Sequence, residues 1–196
     1  MESGPMKNDN DARSLAPTLL VSMPQLNDPN FQRTVILLCE HGEEGAFGLV
    51  LNRRTDTPAA EVVRLVPPVA SSRTSSSLEL WVGGPVEPER GGILMGAEPD
   101  DTAAVQVCEG VFLSTSLELL RKFLEEPPPP YTRLLTGYAG WEAGQLDAEF
   151  AASAWLSVDV HRDIIFNTDA MDMWETAIRR IGADPSLLQM GAGSVH

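Results

Sequence analysis

Cys39, Glu40 and His41 stand side by side at the end of an apolar run. A thiol, a carboxylate and an imidazole are the material of nucleophilic and acid–base catalysis. Neighbours on a strand point to opposite faces, however, so Cys39 and Glu40 diverge, and Cys39 meets His41 only if the strand continues through Glu40. The reading adopted is a core cysteine followed by a polar strand end. Asp159, His161 and Asp163 alternate and would share one face of a strand, a start toward a metal site, but no fourth ligand accompanies them. His and Cys are too few for a zinc framework, and no metal or cofactor is assigned. Gly83-Gly84-Pro85 and Arg90-Gly91-Gly92 lack the spacing of phosphate-binding loops and read as tight turns. Ser114-Thr115-Ser116 could hold an anion at a helix N-terminus, but Ser116 as a helix cap accounts for it. No serine has a recognisable base partner, so no catalytic set is assigned. The segment from Gly137 to Gln145 is different. Its glycines turn the chain, Tyr138 and Trp141 are rings with polar handles, and Gln145 can donate and accept.

The elements that must position these residues follow from apolar periodicity and turn residues. Thr18–Ser22 reads as a short strand, and Asp28–Gln32 as one helical turn opened by Asp28-Pro29. Thr34–Glu40 and Phe47–Asn52 read as strands joined by a hairpin through Gly42 and Gly45. Their apolar residues are continuous, which predicts cover on both faces. A helix opens at Thr57-Pro58 and runs to about Leu65; Ser71–Ser77 is a low-complexity loop. Leu78–Val82 and Gly92–Met95 are strands with a polar turn, Glu87–Arg90, between them. Short strands follow at Val105–Val107 and Gly110–Leu113, then a helix from the Ser116 cap to Leu124 and a polyproline spacer at Pro127–Pro130. Arg133–Ala139 and Ala154–Val158 are strands, Leu146–Ala151 a turn or two of helix, and Thr168 caps a last helix to Ile181. Strands and helices mix without βαβ alternation, which predicts an α+β fold.

Composition limits the function classes. The 196 residues suit one domain, long enough to need no disulfide or metal staple. The expected division is a disordered tail over 1–16, a domain over 17–189 and a frayed end over 190–196. The net charge is −14, from 28 acids against 14 bases. That opposes nucleic-acid binding, which depends on neutralising phosphates, and the paired bases (Arg53-Arg54, Arg121-Lys122, Arg179-Arg180) form no stripe. No apolar run approaches the roughly 20 residues of a membrane span. The first residues carry no signal-peptide pattern, and two cysteines suit a reducing compartment, so a cytoplasmic protein is expected.

A set of motifs recurs in order along the chain: Met23-Pro24, Asp28-Pro29-Asn30-Phe31, Arg33, Glu40-His41, Gly45-Ala46-Phe47-Gly48, Asn52, Gly83-Gly84-Pro85-Val86, Arg90-Gly91, Thr115-Ser116, Gly137-Tyr138-Ala139-Gly140-Trp141, Gly144-Gln145-Leu146, Glu149, Trp155-Leu156 and Trp174. By these the chain resembles the bacterial YqgE/AlgH family from about Ala16 to Gly182. The resemblance implies a bifurcated β-sheet folded into a pseudo-barrel with flanking helices. One branch of that family carries the label of transcriptional regulator. The chain departs from the pattern at Thr34 (usually serine), Gly92 (aromatic), Met95 (often histidine) and Ser153 (asparagine).

Together these readings predict a non-catalytic binding or regulatory protein for a small anionic molecule or a protein partner. Its polar cleft would combine Arg33, Glu40, His41, Asn52, Arg90, Thr115, Tyr138 and Trp141, with Gly83, Gly84 and Gln145 beside them. Arg33 and Arg90 would clamp the anion. The alternatives are a hydrolase or transferase using Glu40 or His41 as base, and a regulator acting on DNA.

Overall fold

The computed structural model describes residues 14–59 and 78–191. Among them the strands are β1 (Thr18–Ser22), β2 (Val35–Gly42), β3 (Gly45–Val50), β4 (Arg54–Pro58), β5 (Glu79–Val82), β6 (Val86–Met95), β7 (Val105–Cys108), β8 (Val111–Ser114), β9 (Thr132–Glu142) and β10 (Trp155–Val158). The helices are α1 (Leu117–Glu125), α2 (Gln145–Ala151), α3 (Arg162–Asn167), α4 (Met173–Arg180) and α5 (Pro185–Gly191). The strands lie in the order β10-β1-β2-β3-β9-β6-β8-β7, with antiparallel neighbours throughout. β5 pairs with β4 and joins β9 in parallel.

β9 is where the sheet forks. Its first half pairs with β6 and β5, and its second half, Ala139 to Glu142, pairs with β3. The fork needs glycine. Gly137 is left-handed (φ 68°) and Gly84 has φ 154°. A Cβ on Gly84 would lie 2.1 Å from the Tyr138 carbonyl carbon, and one on Gly137 would lie 2.3 Å from the Gly84 oxygen. Two backbones pass there with no room for a side chain.

The curled sheet is covered on both faces, as the continuous apolar runs predict. Leu37, Leu49, Leu135 and Trp81 face an interior filled by Ile164 and Ile165 of α3 and by Met173, Trp174 and Ile178 of α4. Behind β1–β3, Ile36, Leu38 and Val50 pack with Trp141, Leu146 and Trp155. Behind β5, β6 and β9, Leu80, Ile93 and Leu134 pack on Leu120, Phe123 and Leu124 of α1. Val35 to Leu38 are therefore all fully buried, each side chain worth about 1.5–3 kcal/mol by burial. α1 begins at the expected cap: Ser116 Oγ accepts from Leu119 N at 3.2 Å.

Several expected elements are corrected. Asp28–Gln32 forms hydrogen-bonded turns rather than a helix, with Asp28 Oδ1 accepting from Asn30 N. Thr57 and Pro58 belong to β4, because Arg54–Pro58 finds a partner strand in β5. Glu87–Arg90 lies inside β6, as an irregular stretch between the Val86 and Gly91 pairings. β9 runs on through Gly140 and Trp141 to Glu142, past the strand end expected at Ala139. Thr168 ends α3 instead of opening the last helix; its hydroxyl donates to the Asp163 carbonyl, and α4 starts at Met173. Most of the helix expected to Leu65, the Ser71–Ser77 loop, the first 13 residues and the last five lie outside the described residues.

Candidate functional site

Two irregularities decide which side chains meet. The first is a bulge in β2. Leu38 pairs with Gly48 and Glu40 with Phe47, so Cys39 is the extra residue and the alternation inverts after it. Leu37 and Cys39 pack on the interior, and Glu40 then turns to the same side, level with Phe47. His41 goes to the other face. Its Nδ1 accepts from Leu15 N at 3.1 Å, and its Nε2 lies 3.4 Å from Asp147 Oδ2 of α2. The expected parting of Cys39 from Glu40 is thus corrected by the bulge, and Glu40 and His41 share no site. Burial raises the Cys39 thiol far above its ordinary pKa, which leaves it a packing residue and not a thiolate nucleophile.

The second irregularity is the left-handed Gly137. Before it, Arg133 and Leu135 face the interior; after it, Tyr138 does, while Ala139 and Trp141 face the opposite side. Tyr138 packs against Phe47, ring centroids 5.2 Å apart. Trp141 is buried against Phe31 and Trp155. Its indole N–H donates to Glu149 Oε2 at 2.9 Å, and the Trp155 indole donates to the same oxygen at 2.7 Å. Gln145 joins that network, accepting from Glu142 N and donating to Glu149 Oε1.

What converges is a cavity of about 360 Å³ at the interior rim. Glu40, Arg90, Thr115 and Tyr138 supply its polar groups, and Phe47, Leu49 and Leu113 its apolar floor. Arg90 Nη1 is 2.8 Å from Glu87 Oε2, and that hydrogen bond favours the charged guanidinium. Gly92 opens the space: a Cβ there would point at Leu113 Cδ1, 3.2 Å away.

The remaining expected members lie elsewhere. Arg33 stacks over Trp174 at 4.5 Å and pairs with Glu175 at 2.8 Å, so it cannot clamp an anion together with Arg90. Its hydrogen bond and that of Arg179 hold the Glu175 carboxyl below the usual range. Asn52 ties the start of β2, accepting from Val35 N at 3.0 Å and donating to Arg33 O at 2.8 Å. Gly83 and Gly84 serve the fork of the sheet. Asp159, His161 and Asp163 do not alternate on a strand, because β10 ends at Val158 and α3 starts at Arg162; Asp163 pairs with Arg180. No metal-binding group of acids, histidines and cysteines is found among the described residues. None of their helices is long and apolar enough to cross a membrane.

Sequence reasoning passed over Arg133 and Trp81. Arg133 is almost buried, with its guanidinium 4.0 Å from the Trp81 ring. Burial pulls its pKa down to about 10. A signal was present: Arg133 and Leu135 share a strand face, which places a cation on the core side of an apolar strand.

The fold and this rim cavity define a class: a single-domain α+β protein with a curled half-barrel sheet. The AlgH-like family model matches residues 19–186, and the chain belongs to that family. A UPF0301 protein of Myxococcus xanthus is 40% identical over 185 residues, covering 92% of this chain and 98% of its own. A UPF0301 protein of Pseudomonas fluorescens is 40% identical over 175 residues, 89% of this chain and 92% of its own. The solution structure of the AlgH protein from Pseudomonas aeruginosa superposes with a TM-score of 0.76 at 34% identity, over 97% of this chain and 100% of that one. A crystal structure from Corynebacterium diphtheriae, 22% identical with a TM-score of 0.63, shares the fold over 96% of this chain and 94% of its own.

Proposed function

We propose that this protein is a cytoplasmic, non-catalytic binding protein that takes a small molecule into the cavity beside Tyr138. One observation carries the reading. Glu40, Thr115 and the Tyr138 hydroxyl have no side-chain hydrogen bond among the described residues, yet all three line one apolar-floored cavity with Arg90. Such an arrangement of few polar groups over an apolar floor is how small-molecule sites are built. A fitting ligand has a flat or apolar body to lie on Phe47 and Tyr138. One end is anionic or accepting, for Arg90 and Thr115, and the other donates to Glu40. The separation of Glu40 from His41 supports binding over hydrolysis or group transfer, since a base and its partner must be within hydrogen-bond reach. The net charge of −14 disfavours the reading as a regulator that contacts DNA directly.

The test is native mass spectrometry of the protein after incubation with a metabolite extract, alongside Gly92→Phe, which fills the cavity from its edge. The wild type should retain a small molecule that Gly92→Phe does not, and Glu40→Gln should hold it about tenfold more weakly. Equal retention by wild type and Gly92→Phe would remove the proposal.

A further inference from the structure

A second cavity, of about 580 Å³, lies between the β3–β4 connection, β5, the start of β9, the end of α3 and the residues that follow it to Met171. Its lining includes three arginines, Arg53, Arg54 and Arg133, against two carboxylates, Glu79 and Asp169. That is a local positive excess in a chain of net charge −14.

The rim groups are already engaged. Arg54 pairs with Glu79 at 2.8 Å. Arg53 donates to the Gln32 carbonyl and to Thr34 Oγ1. Asp169 Oδ1 accepts from Met171 N at 2.9 Å. Arg133 is not so engaged. It is 7% exposed, has its guanidinium carbon 4.0 Å from the Trp81 ring centroid, and has one side-chain hydrogen bond, to the Leu51 carbonyl at 3.3 Å. No carboxylate among the described residues is within ion-pair distance of it. With its pKa near 10 it remains a cation at neutral pH, buried, and Glu79, already paired with Arg54, attracts it only from beyond ion-pair distance. A buried cation in that state is costly unless something pairs with it.

Trp81, in the same wall, repeats the pattern. Its indole Nε1 is the buried side-chain polar atom that finds no acceptor among the described residues. The other three indoles are all satisfied, Trp141 and Trp155 by Glu149 and Trp174 by the Ser22 carbonyl. Arg133 and Trp81, each carrying a buried donor, one charged and one neutral, both line a cavity that can hold an acceptor.

We infer that this cavity binds the oxyanion end of a small organic molecule, a phosphate or a carboxylate, with Arg133 as the buried anchor, Trp81 as the neutral donor and Arg53 and Arg54 at the rim. This site shares no residue with the Tyr138 cavity and stands independently of the function proposed for it.

The experiment is a titration of the full-length, nitrogen-15-labelled protein, with inorganic phosphate in one arm and acetate in the other. The readout is the indole N–H resonances. The Trp81 signal is assigned by its disappearance in Trp81→Phe. Either anion should move that signal while the other three indoles stay in place. Movement with both points to a shared oxyanion site, and movement with one alone names the class. Arg133→Gln should weaken binding about tenfold or more, and Arg133→Lys should retain part of it, since charge without the guanidinium fork is a poorer match. Should Arg133→Gln fail to fold, Arg53→Gln is read in its place and should weaken binding by a smaller factor. Gly92→Phe should leave the titration unchanged, which separates this site from the Tyr138 cavity. An indole signal that neither anion moves, or that moves equally in the wild type and the arginine variants, overturns the inference.

Discussion

Glu149 decides whether Trp141 belongs to the core or to a recognition surface. One of its carboxylate oxygens accepts from two buried indoles, at 2.9 Å from Trp141 and 2.7 Å from Trp155, and the other from Gln145 at 2.9 Å. Both rings are under a tenth exposed, while Glu149 itself is partly buried, so water entering in its place restores only part of the bonding. Hydrogen bonds to a charged group contribute about 1.5–3 kcal/mol each, and a buried donor left unpaired forfeits the full desolvation term. Glu149→Ala strands two such donors and should cost about 3–5 kcal/mol, allowing for some relaxation. That is a large share of the roughly 5–15 kcal/mol that holds a domain folded. In a chain of this size it lowers Tm by about 10 °C. Glu149→Gln keeps an acceptor oxygen without the charge and should cost about half as much. Urea unfolding followed by tryptophan fluorescence measures both. In a Trp141→Phe background one donor is already gone, so Glu149→Ala should cost about 1.5 kcal/mol less than in the wild type, a coupling read from the double-mutant cycle. A loss under about 1 kcal/mol for Glu149→Ala, or no coupling to Trp141, would refute the assignment of Trp141 to the core.

The fork of the sheet and the buried thiol give further expectations. Gly84→Ala should destabilise by about 3 kcal/mol or more in thermal unfolding, because its Cβ would fall 2.1 Å from the Tyr138 backbone. Gly91→Ala, with its nearest contact at 3.8 Å, should stay within about 1 kcal/mol of wild type. The Cys39 thiol has its folded pKa raised by burial, so its contribution is complete below the unfolded thiol value and is lost as pH rises past it. Above a pH of about 8.5 stability should therefore fall by up to about 1.4 kcal/mol per pH unit from this residue. Cys39→Val should flatten that alkaline limb in urea unfolding; an unchanged slope would show that Cys39 is not the group responsible. In the native protein Cys39 should also react with iodoacetamide far more slowly than in urea, as read by mass spectrometry of the alkylated peptide.

The sequence by itself determined the apolar framework. Val35–Leu38 has no polar position to offer solvent, and that run is buried on both faces of its strand. Ser116 and the Leu120–Leu124 spacing specified α1, down to its cap, because capping and amphipathic spacing are local properties, although Leu117 at its first position is exposed and not inward. The ordered motifs from Met23-Pro24 to Trp174 placed the chain in its family, and with it the forked half-barrel. Tertiary structure decided the sites. One extra residue at Cys39 inverts strand parity and sends Glu40 and His41 to opposite faces. One left-handed glycine, Gly137, does the same between Arg133 and Tyr138, and continued pairing to β3 carries Trp141 into the far core. Parity is a long-range quantity: it is set by which strand a residue pairs with, and a bulge leaves no mark in residue type. For the same reason Arg133 and Trp81, 52 positions apart in the chain, become neighbours because β5 lies parallel to β9 and pairs Trp81 with Leu135.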